Sequence, residues 1–111
     1  MTNQLVSDAD VERALDWLRD NAKDIGAAKE LAIKTERMTK HIRAIEMKRH
    51  GSLPVSAQER EALASDAYVE AMNAEASAAG AFETMKAMRE AAALKIEVWR
   101  SASANYRAMK I

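Results

Sequence analysis

The sequence contains no cysteine, one proline and three glycines, and aromatic residues make up 5% of its 111 positions. Without cysteine, disulfides, thiolate nucleophiles and cysteine-ligated metal centres are excluded, which is typical of a protein from the reducing cytoplasm. The sequence also lacks a run of about 18 apolar residues that would span a membrane. Its first residues, MTNQLVSDAD, show neither the basic nor the apolar region of a secretion signal. We therefore expect a cytoplasmic protein that makes no contact with membranes.

Strong helix formers dominate the residues that are present, chiefly alanine, methionine, glutamate, lysine and arginine. Because glycine and proline are the main turn formers, their scarcity predicts few turns. The length suits one domain rather than two. The composition therefore predicts a single all-α domain over residues 1–111.

The first helix is predicted over about residues 8–49. Ser7 and Asp10 have the spacing of a capping box at its start, and His50 with Gly51 marks its end. Two apolar series follow one another along it, with an irregular step near Gly26. The first series is Val11, Leu15, Leu18, Ala22 and Ile25, and the second is Ala28, Leu31, Thr35, Met38, Ile42 and Ile45. Either one helix with a local irregularity or two helices hinged near Gly26 would fit, and the single helix is favoured because one glycine costs only about 1 kcal/mol.

The only clear break in the helical pattern is a turn predicted over residues 50–56, which contains Pro54. Ser56 and Glu59 have the spacing of a second capping box, which predicts a short helix over 57–64. Ser65 then caps a long helix predicted over 66–108. Its seam holds heptad spacing through Tyr68, Ala71, Glu75, Ala78, Phe82, Met85, Arg89, Ala92, Ile96, Trp99, Ser103 and Tyr106.

Two long helices of matched length joined by a short connection predict a long antiparallel, coiled-coil-like hairpin with the short helix at the turn. Pairing outward from the turn would place Ile45 near Ala71, Leu31 near Met85, and Trp17 level with Trp99. The net charges of residues 1–28, 29–50, 51–84 and 85–111 are −3, +4, −5 and +4. In the hairpin each acidic segment would lie beside a basic one, which favours antiparallel pairing.

A second apolar series on the last helix consists of Ala87, Ala91, Leu94 and Val98, hereafter the outer stripe. It lies more than about 100° around the helix from the seam. A lone hairpin leaves such a face uncovered. We therefore expect a homo-oligomer that buries the outer stripe and completes a helical bundle, although a first helix folded back at Gly26 would also cover it.

The sequence shows no motif of a catalytic or cofactor site. It lacks a glycine-rich phosphate loop, a nucleophile elbow and a catalytic triad spacing. Of the two histidines, His41 and His50, only the latter has a carboxylate at helical spacing, Glu46, and two ligands make a weak metal site. We therefore expect no enzyme activity, no cofactor and no metal.

Nucleic-acid binding is an alternative prediction from the C-terminal repeat, in which Trp99 and Tyr106 lie seven residues apart and Arg100 and Arg107 directly follow them. Stacking aromatics beside cations are typical of single-stranded nucleic-acid sites. The same aromatics also occupy seam positions, and the acidic N-terminal segment would weaken a basic field. We therefore favour a structural role for Trp99 and Tyr106.

Three stretches, SDADVERALDWLRDNA, LPVSAQEREALASDAYVEAM and KIEVWRSASANYRA, resemble a group of small helical proteins of tailed phages and prophages. Some members of that group are encoded near recombination or replication genes, and the resemblance carries no site residue over to this chain. It implies a non-enzymatic accessory protein that acts through self-association and protein contacts. The alternatives are a single-stranded nucleic-acid-binding factor in recombination or replication, and an inhibitor or adaptor that docks on a host protein.

Overall fold

A computed structural model describes residues 5–110, and these form three helices and no strand. Helix α1 spans Asp8–Arg49, α2 spans Val55–Leu63 and α3 spans Asp66–Met109. The all-α hairpin, two long helices with a short helix between them, is thereby confirmed. The described residues form two compact units: unit 1 takes in residues 5–25 and 84–110, and unit 2 takes in Gly26–Glu83. Each unit contains one part of α1 and one part of α3.

Helix α1 begins with the predicted capping box. The Ser7 backbone amide donates to Oδ2 of Asp10 at 3.0 Å, and the Asp10 amide donates to Oγ of Ser7 at 3.1 Å. Two amides at the helix start therefore have side-chain acceptors. Asp8 and Asp10 also place negative charge at the positive end of the helix dipole.

Helix α1 runs through Gly26 without a break, which decides between the two alternatives in favour of a single helix. The predicted irregular step was wrong, because Ala32 rather than Leu31 follows Ala28 in the seam, and Asn21, Thr39 and Glu46 also take seam positions. Leu31, which was predicted in the seam, lies beside it and is 52% exposed. Buried or half-buried residues recur at alternating steps of three and four through Val11, Ala14, Leu18, Asn21, Ile25, Ala28, Ala32, Thr35, Thr39, Ile42 and Glu46.

Helix α3 buries the seam that its heptad spacing predicts, with two exceptions. Arg89 and Tyr106 are exposed, and the other predicted positions are buried or half-buried. The most buried of these are alanines, Ala78 at 5% and Ala92 at 7% exposure. Small side chains therefore form much of the α3 seam.

In unit 1 the helices pair in a register different from the predicted one. The indole Nε1 of Trp99 donates to Oδ1 of Asp8 at 2.7 Å. Trp17 instead borders a shallow groove together with Met88 and Ala91 of α3. The prediction that the two indole rings share one level was wrong, since Trp17 lies nine residues beyond Asp8, about 13 Å along α1. The alanines of the seam accept several registers, so the apolar pattern alone did not fix one.

In unit 2 the same correction applies beside the turn. Ala71 was predicted near Ile45, but its carbonyl accepts a hydrogen bond from Oγ1 of Thr39 at 3.3 Å. Thr39 is 7% exposed, and its hydroxyl also bonds the Thr35 carbonyl at 3.0 Å. A buried polar group with two backbone acceptors therefore helps to hold α1 against α3.

Helix α1 ends at Arg49, as predicted, but the geometry of its end differs from that of a glycine cap. Its last turn tightens through bonds from the His50 amide to the Met47 carbonyl at 3.1 Å and from the Gly51 amide to the Lys48 carbonyl at 3.2 Å. No described residue has a positive φ, so Gly51 is not a left-handed cap. The last carbonyls are satisfied by bonds of the 3₁₀ type.

The predicted capping box of α2 was also wrong. Pro54 occupies the N-cap position, with φ −57° and no side-chain cap, and Ser56 lies inside the helix. Glu59 instead forms an ion pair with Arg43 of α1, which ties α2 to the first helix. The start of α3 does follow the prediction, because Oγ of Ser65 accepts the Tyr68 amide at 3.2 Å.

None of the helices within residues 5–110 carries an apolar stretch that is long enough to cross a bilayer.

The capping box predicts how stability depends on pH. The hydrogen bond from the Ser7 backbone, followed by that of the Ser7 side chain, lowers the pKa of Asp10 below its ordinary value of 3.8. Because the folded-state pKa is lowered, the charged carboxylate stabilises the fold above about pH 3.8, and this stability is lost as the pH falls through the folded-state pKa. We expect an NMR titration of Asp10 with a midpoint below 3.8.

The Ser7→Ala variant is the control for this titration. It removes the hydroxyl and keeps the backbone amide, so the Asp10 midpoint should move part of the way back towards 3.8. Asp10→Asn should destabilise the protein at pH 7, and the difference from the wild type should shrink below about pH 3.8. A midpoint at or above the ordinary value would contradict the capping box.

Candidate functional site

The outer stripe is centred on the face of α3 opposite the seam in unit 1, and Ala91 at one edge borders the groove shared with Trp17 of α1. At 100° per residue its centre is about 160° around the helix from the α3 seam. Leu94 is 63% exposed, Ala87 and Ala91 are exposed, and Val98 is half-buried. The stripe is therefore an apolar surface that the chain itself leaves largely uncovered.

The spacing of the outer stripe is as regular as that of the seam. It advances by steps of four, three and four, and Ser101 and Asn105 continue it by three and four. None of these positions is charged, although α3 has seven Lys, Arg and Glu residues between positions 85 and 107. Helix α3 thus carries a second uncharged line at coiled-coil spacing.

The two edges of the outer stripe carry opposite charge. Glu90 and Glu97 lie along one edge, seven residues apart. Lys95 lies on the other edge, where it borders the shallow groove shared with Arg13 and Trp17 of α1. Glu97 also pairs with an arginine of its own helix at 3.2 Å. The stripe therefore has an acidic border and a basic border, a feature that the apolar pattern alone did not reveal.

The aromatic and cationic repeat is divided between structural and exposed positions. Trp99 is half-buried in the seam and its N–H bonds Asp8, whereas Tyr106 is 60% exposed. Arg100 is exposed and pairs with Glu97 of its own helix, and Arg107 is exposed. The seam position of Trp99 agrees with the prediction, while the exposure of Tyr106 does not.

Tyr106 is exposed because it lies beyond the first residue of α1. Trp99 is level with Asp8, so the last turns of α3 extend past the start of the partner helix. There the Nζ of Lys110 lies 5.1 Å from the centroid of the Tyr106 ring. That distance allows a cation–π contact within the chain, on the ring that a base would stack against.

Charge is balanced inside each unit. The acidic N-terminal segment shares unit 1 with the basic C-terminal segment, and the basic 29–50 segment shares unit 2 with most of the acidic 51–84 segment. Among the ion pairs of residues 5–110, Arg43 with Glu59 is the one that joins two helices, and the others lie within a helix. Within residues 5–110 no ion pair joins α1 to α3, so the opposite charges of the paired segments act over longer distances than a direct contact.

Glu46, one of the residues considered as a metal ligand, lies in the seam. The Glu46 side chain is 8% exposed, occupies the α1 seam and lies 3.6 Å from Nε of Arg49. No group of three potential metal ligands occurs within residues 5–110. A buried glutamate in the seam is a feature that apolar periodicity missed, because the pattern counts only apolar residues.

The Trp99–Asp8 contact gives a prediction for stability. Trp99→Phe keeps an aromatic ring and removes the N–H donor, so it should lower the free energy of unfolding by about 0.5–1.5 kcal/mol. Trp99→Ala should cost more, but less than the roughly 3–5 kcal/mol typical of a fully buried ring. Urea unfolding followed by circular dichroism measures both losses.

Two controls separate the hydrogen bond from other effects. Tyr106→Phe alters an exposed aromatic residue on the same helix and should leave the midpoint unchanged. In a double-mutant cycle, Trp99→Phe and Asp8→Ala should be non-additive, because both remove the same bond. Additive losses, or an unaltered midpoint in Trp99→Ala, would show that the contact does not hold the helix ends together.

No protein-family model matches the chain, no curated protein matches its sequence, and no solved structure matches its fold. The functional inference therefore depends on the chain's own residues.

Proposed function

We propose that this protein is a non-enzymatic accessory protein of a phage or prophage that self-associates through the outer stripe and acts through protein contacts. The observation that carries the proposal is the uncharged line at coiled-coil spacing on the far side of α3. Its largest residue, Leu94, is 63% exposed in the single chain. A regular apolar line opposite an occupied seam is what a further helix would pack against.

The accessible surface of the chain leaves room for self-association. It amounts to 8369 Å² for a mass of 12.3 kDa. A folded monomer of that mass is expected to expose about 6,100 Å², so this chain exposes about 2,300 Å² more. Obligate dimer interfaces bury about 2,000–5,000 Å² in total. The excess is therefore large enough for each chain to contribute its half of such an interface.

A non-enzymatic role is supported by how the chain uses its buried polar groups and the half-buried carboxylate of Asp10. Thr39 bonds two backbone carbonyls, and Glu46 lies beside Arg49 at the end of α1. The lowered pKa of Asp10 comes from its helix-capping bonds with Ser7. These polar groups stabilise helices or their pairing, so each has a structural role already.

The phage or prophage setting is carried by the resemblance of the three sequence stretches alone. A host or phage protein that docks on the outer stripe would use the same surface as a second copy of the chain. Self-association and docking therefore compete for one face, and a host-directed inhibitor or adaptor is a variant of the same proposal.

The proposal predicts that a charge in the outer stripe separates the protomers. The wild type at tens of micromolar should have at least twice the 12.3 kDa mass of one chain. Leu94→Glu should reduce the mass to that of one chain, because the carboxylate would be buried without a partner. Size-exclusion chromatography with light scattering measures the mass, and circular dichroism checks that the helices persist.

Leu15→Glu is the matched control. Leu15 is a leucine of unit 1 that is 52% exposed but lies on α1, away from the outer stripe. Its substitution introduces the same charge at a similar exposure and should leave the mass unchanged. A wild type of 12.3 kDa at this concentration would contradict the proposal.

A second prediction separates the proposal from single-stranded nucleic-acid binding. The indole N–H of Trp99 is engaged with Asp8, and Lys110 lies over the Tyr106 ring. We therefore expect no salt-dependent binding of a fluorescently labelled oligothymidine at about 50 mM salt, measured by anisotropy. Binding that is lost in Tyr106→Ala and in Arg107→Ala would instead favour the nucleic-acid function.

A further inference from the structure

The outer stripe has the residue pattern of a parallel two-stranded coiled coil. We infer that two copies of this chain associate through α3 in parallel and in register, with Glu90 of each copy beside Lys95 of the other. This inference rests on the proposed self-association and specifies its geometry. It is confined to the part of α3 that belongs to unit 1.

The first argument is the identity of the residues on the line. When the line is assigned its own heptad, Ala91, Val98 and Asn105 take a positions, and Ala87, Leu94 and Ser101 take d positions. β-branched residues at a with leucine at d favour two parallel strands, and a single asparagine at a fixes register and strand number. Val98 at a, Leu94 at the preceding d and Asn105 at a agree with these preferences, while Ala91, Ala87 and Ser101 fill the other positions of the line.

The second argument is charge complementarity across the interface. In this heptad Glu90 and Glu97 take g positions, and Lys95 takes the e position of the next heptad after Glu90. In a parallel pair each g position faces the following e position of the other helix. Glu90 of each copy therefore faces Lys95 of the other copy, and the two-fold axis gives two such pairs. In an antiparallel pair g faces g, and the acidic edges would oppose each other.

The surroundings of Lys95 reinforce this orientation. Lys95 borders a shallow groove in unit 1 that Arg13 and Trp17 of α1 also line. Arg13 already pairs with Asp10, so Lys95 is the cation that the acidic edge of a second copy would approach. Glu90 forms no ion pair within residues 5–110, so its carboxylate can meet Lys95 of the second copy without breaking an existing pair.

Two single-cysteine variants test the parallel, in-register geometry. The chain contains no cysteine, so each introduced thiol is unique. Ala87→Cys and Ser101→Cys lie at d positions 14 residues apart, about 21 Å along the helix. In a parallel in-register pair each cysteine meets its own counterpart within disulfide reach. In an antiparallel pair at most one of the two positions, the one at the two-fold axis, can do so.

The measurement is the fraction of disulfide-linked dimer on a non-reducing gel after mild oxidation in a glutathione buffer. Ala93→Cys is the control, because Ala93 is exposed on the same helix but lies about 130° around it from the outer stripe. We expect most of both test variants to cross-link and little of the control. Cross-linking at only one test position, or at neither, would overturn the parallel arrangement.

Charge exchange tests the pairing of Glu90 with Lys95 across the interface. Glu90→Lys and Lys95→Glu should each raise the dissociation constant of the dimer about 3- to 10-fold, since two pairs are lost in each dimer. The double exchange should return it to near the wild-type value. Sedimentation equilibrium at low and high salt measures these constants. If the double variant is as weak as the single ones, the assigned pair is wrong.

These outcomes distinguish the geometry from the proposed function. Suppose that the wild type is a dimer that Leu94→Glu dissociates, but that only one or neither of the two cysteine variants cross-links. The parallel geometry would then be wrong, and self-association would still hold. A wild type that is monomeric by light scattering at tens of micromolar would remove both. Light scattering of the reduced cysteine variants confirms that each still associates before oxidation.

Discussion

The alternation of three and four residues between seam positions is the constraint on which the rest of the structure depends. It keeps one narrow face of α1 turned towards one narrow face of α3 in each unit. The buried apolar residues of these faces are Val11, Ala14, Ile25, Ala78 and Ala92, and three of the five are alanine. Small side chains allow the two helix backbones to approach closely, and they leave the larger apolar residues at the flanks. The exposed outer stripe follows from this division, because the seam takes only one face of α3.

Polar contacts fix the register of α1 against α3, which the small seam residues leave undetermined. Alanine against alanine accepts several registers with little difference in free energy, whereas a hydrogen bond between two named atoms accepts one. Thr39 to the Ala71 carbonyl in unit 2 and Trp99 to Asp8 in unit 1 are such contacts. The buried carboxylate of Glu46 also restricts the register, because a buried charge is stable only beside groups that pair with it or hydrogen-bond to it. The register is therefore specified by a few polar contacts, and the pairing itself by the apolar spacing.

This division explains how far the sequence alone could predict the fold. The helix start at Ser7 and Asp10 and the cap at Ser65 are local signals, and both are present in the structure. The α3 seam was predictable because its heptad is largely apolar. The α1 seam was misread because Asn21, Thr39 and Glu46 occupy it. The register depended on contacts between residues far apart in the chain, such as Asp8 and Trp99, which no local pattern reports. The outer stripe could be predicted from the sequence. That its basic edge borders α1 could not, because the position of Lys95 beside Arg13 and Trp17 depends on how the helices pack.

Among the described residues, no large side chain is fully buried. Each unit is therefore stabilised by many weak contacts, and no single buried side chain supplies most of the packing. An assembly of this kind can be remodelled gradually: a competing helix could displace a neighbour one turn at a time, without first extracting a deeply anchored group.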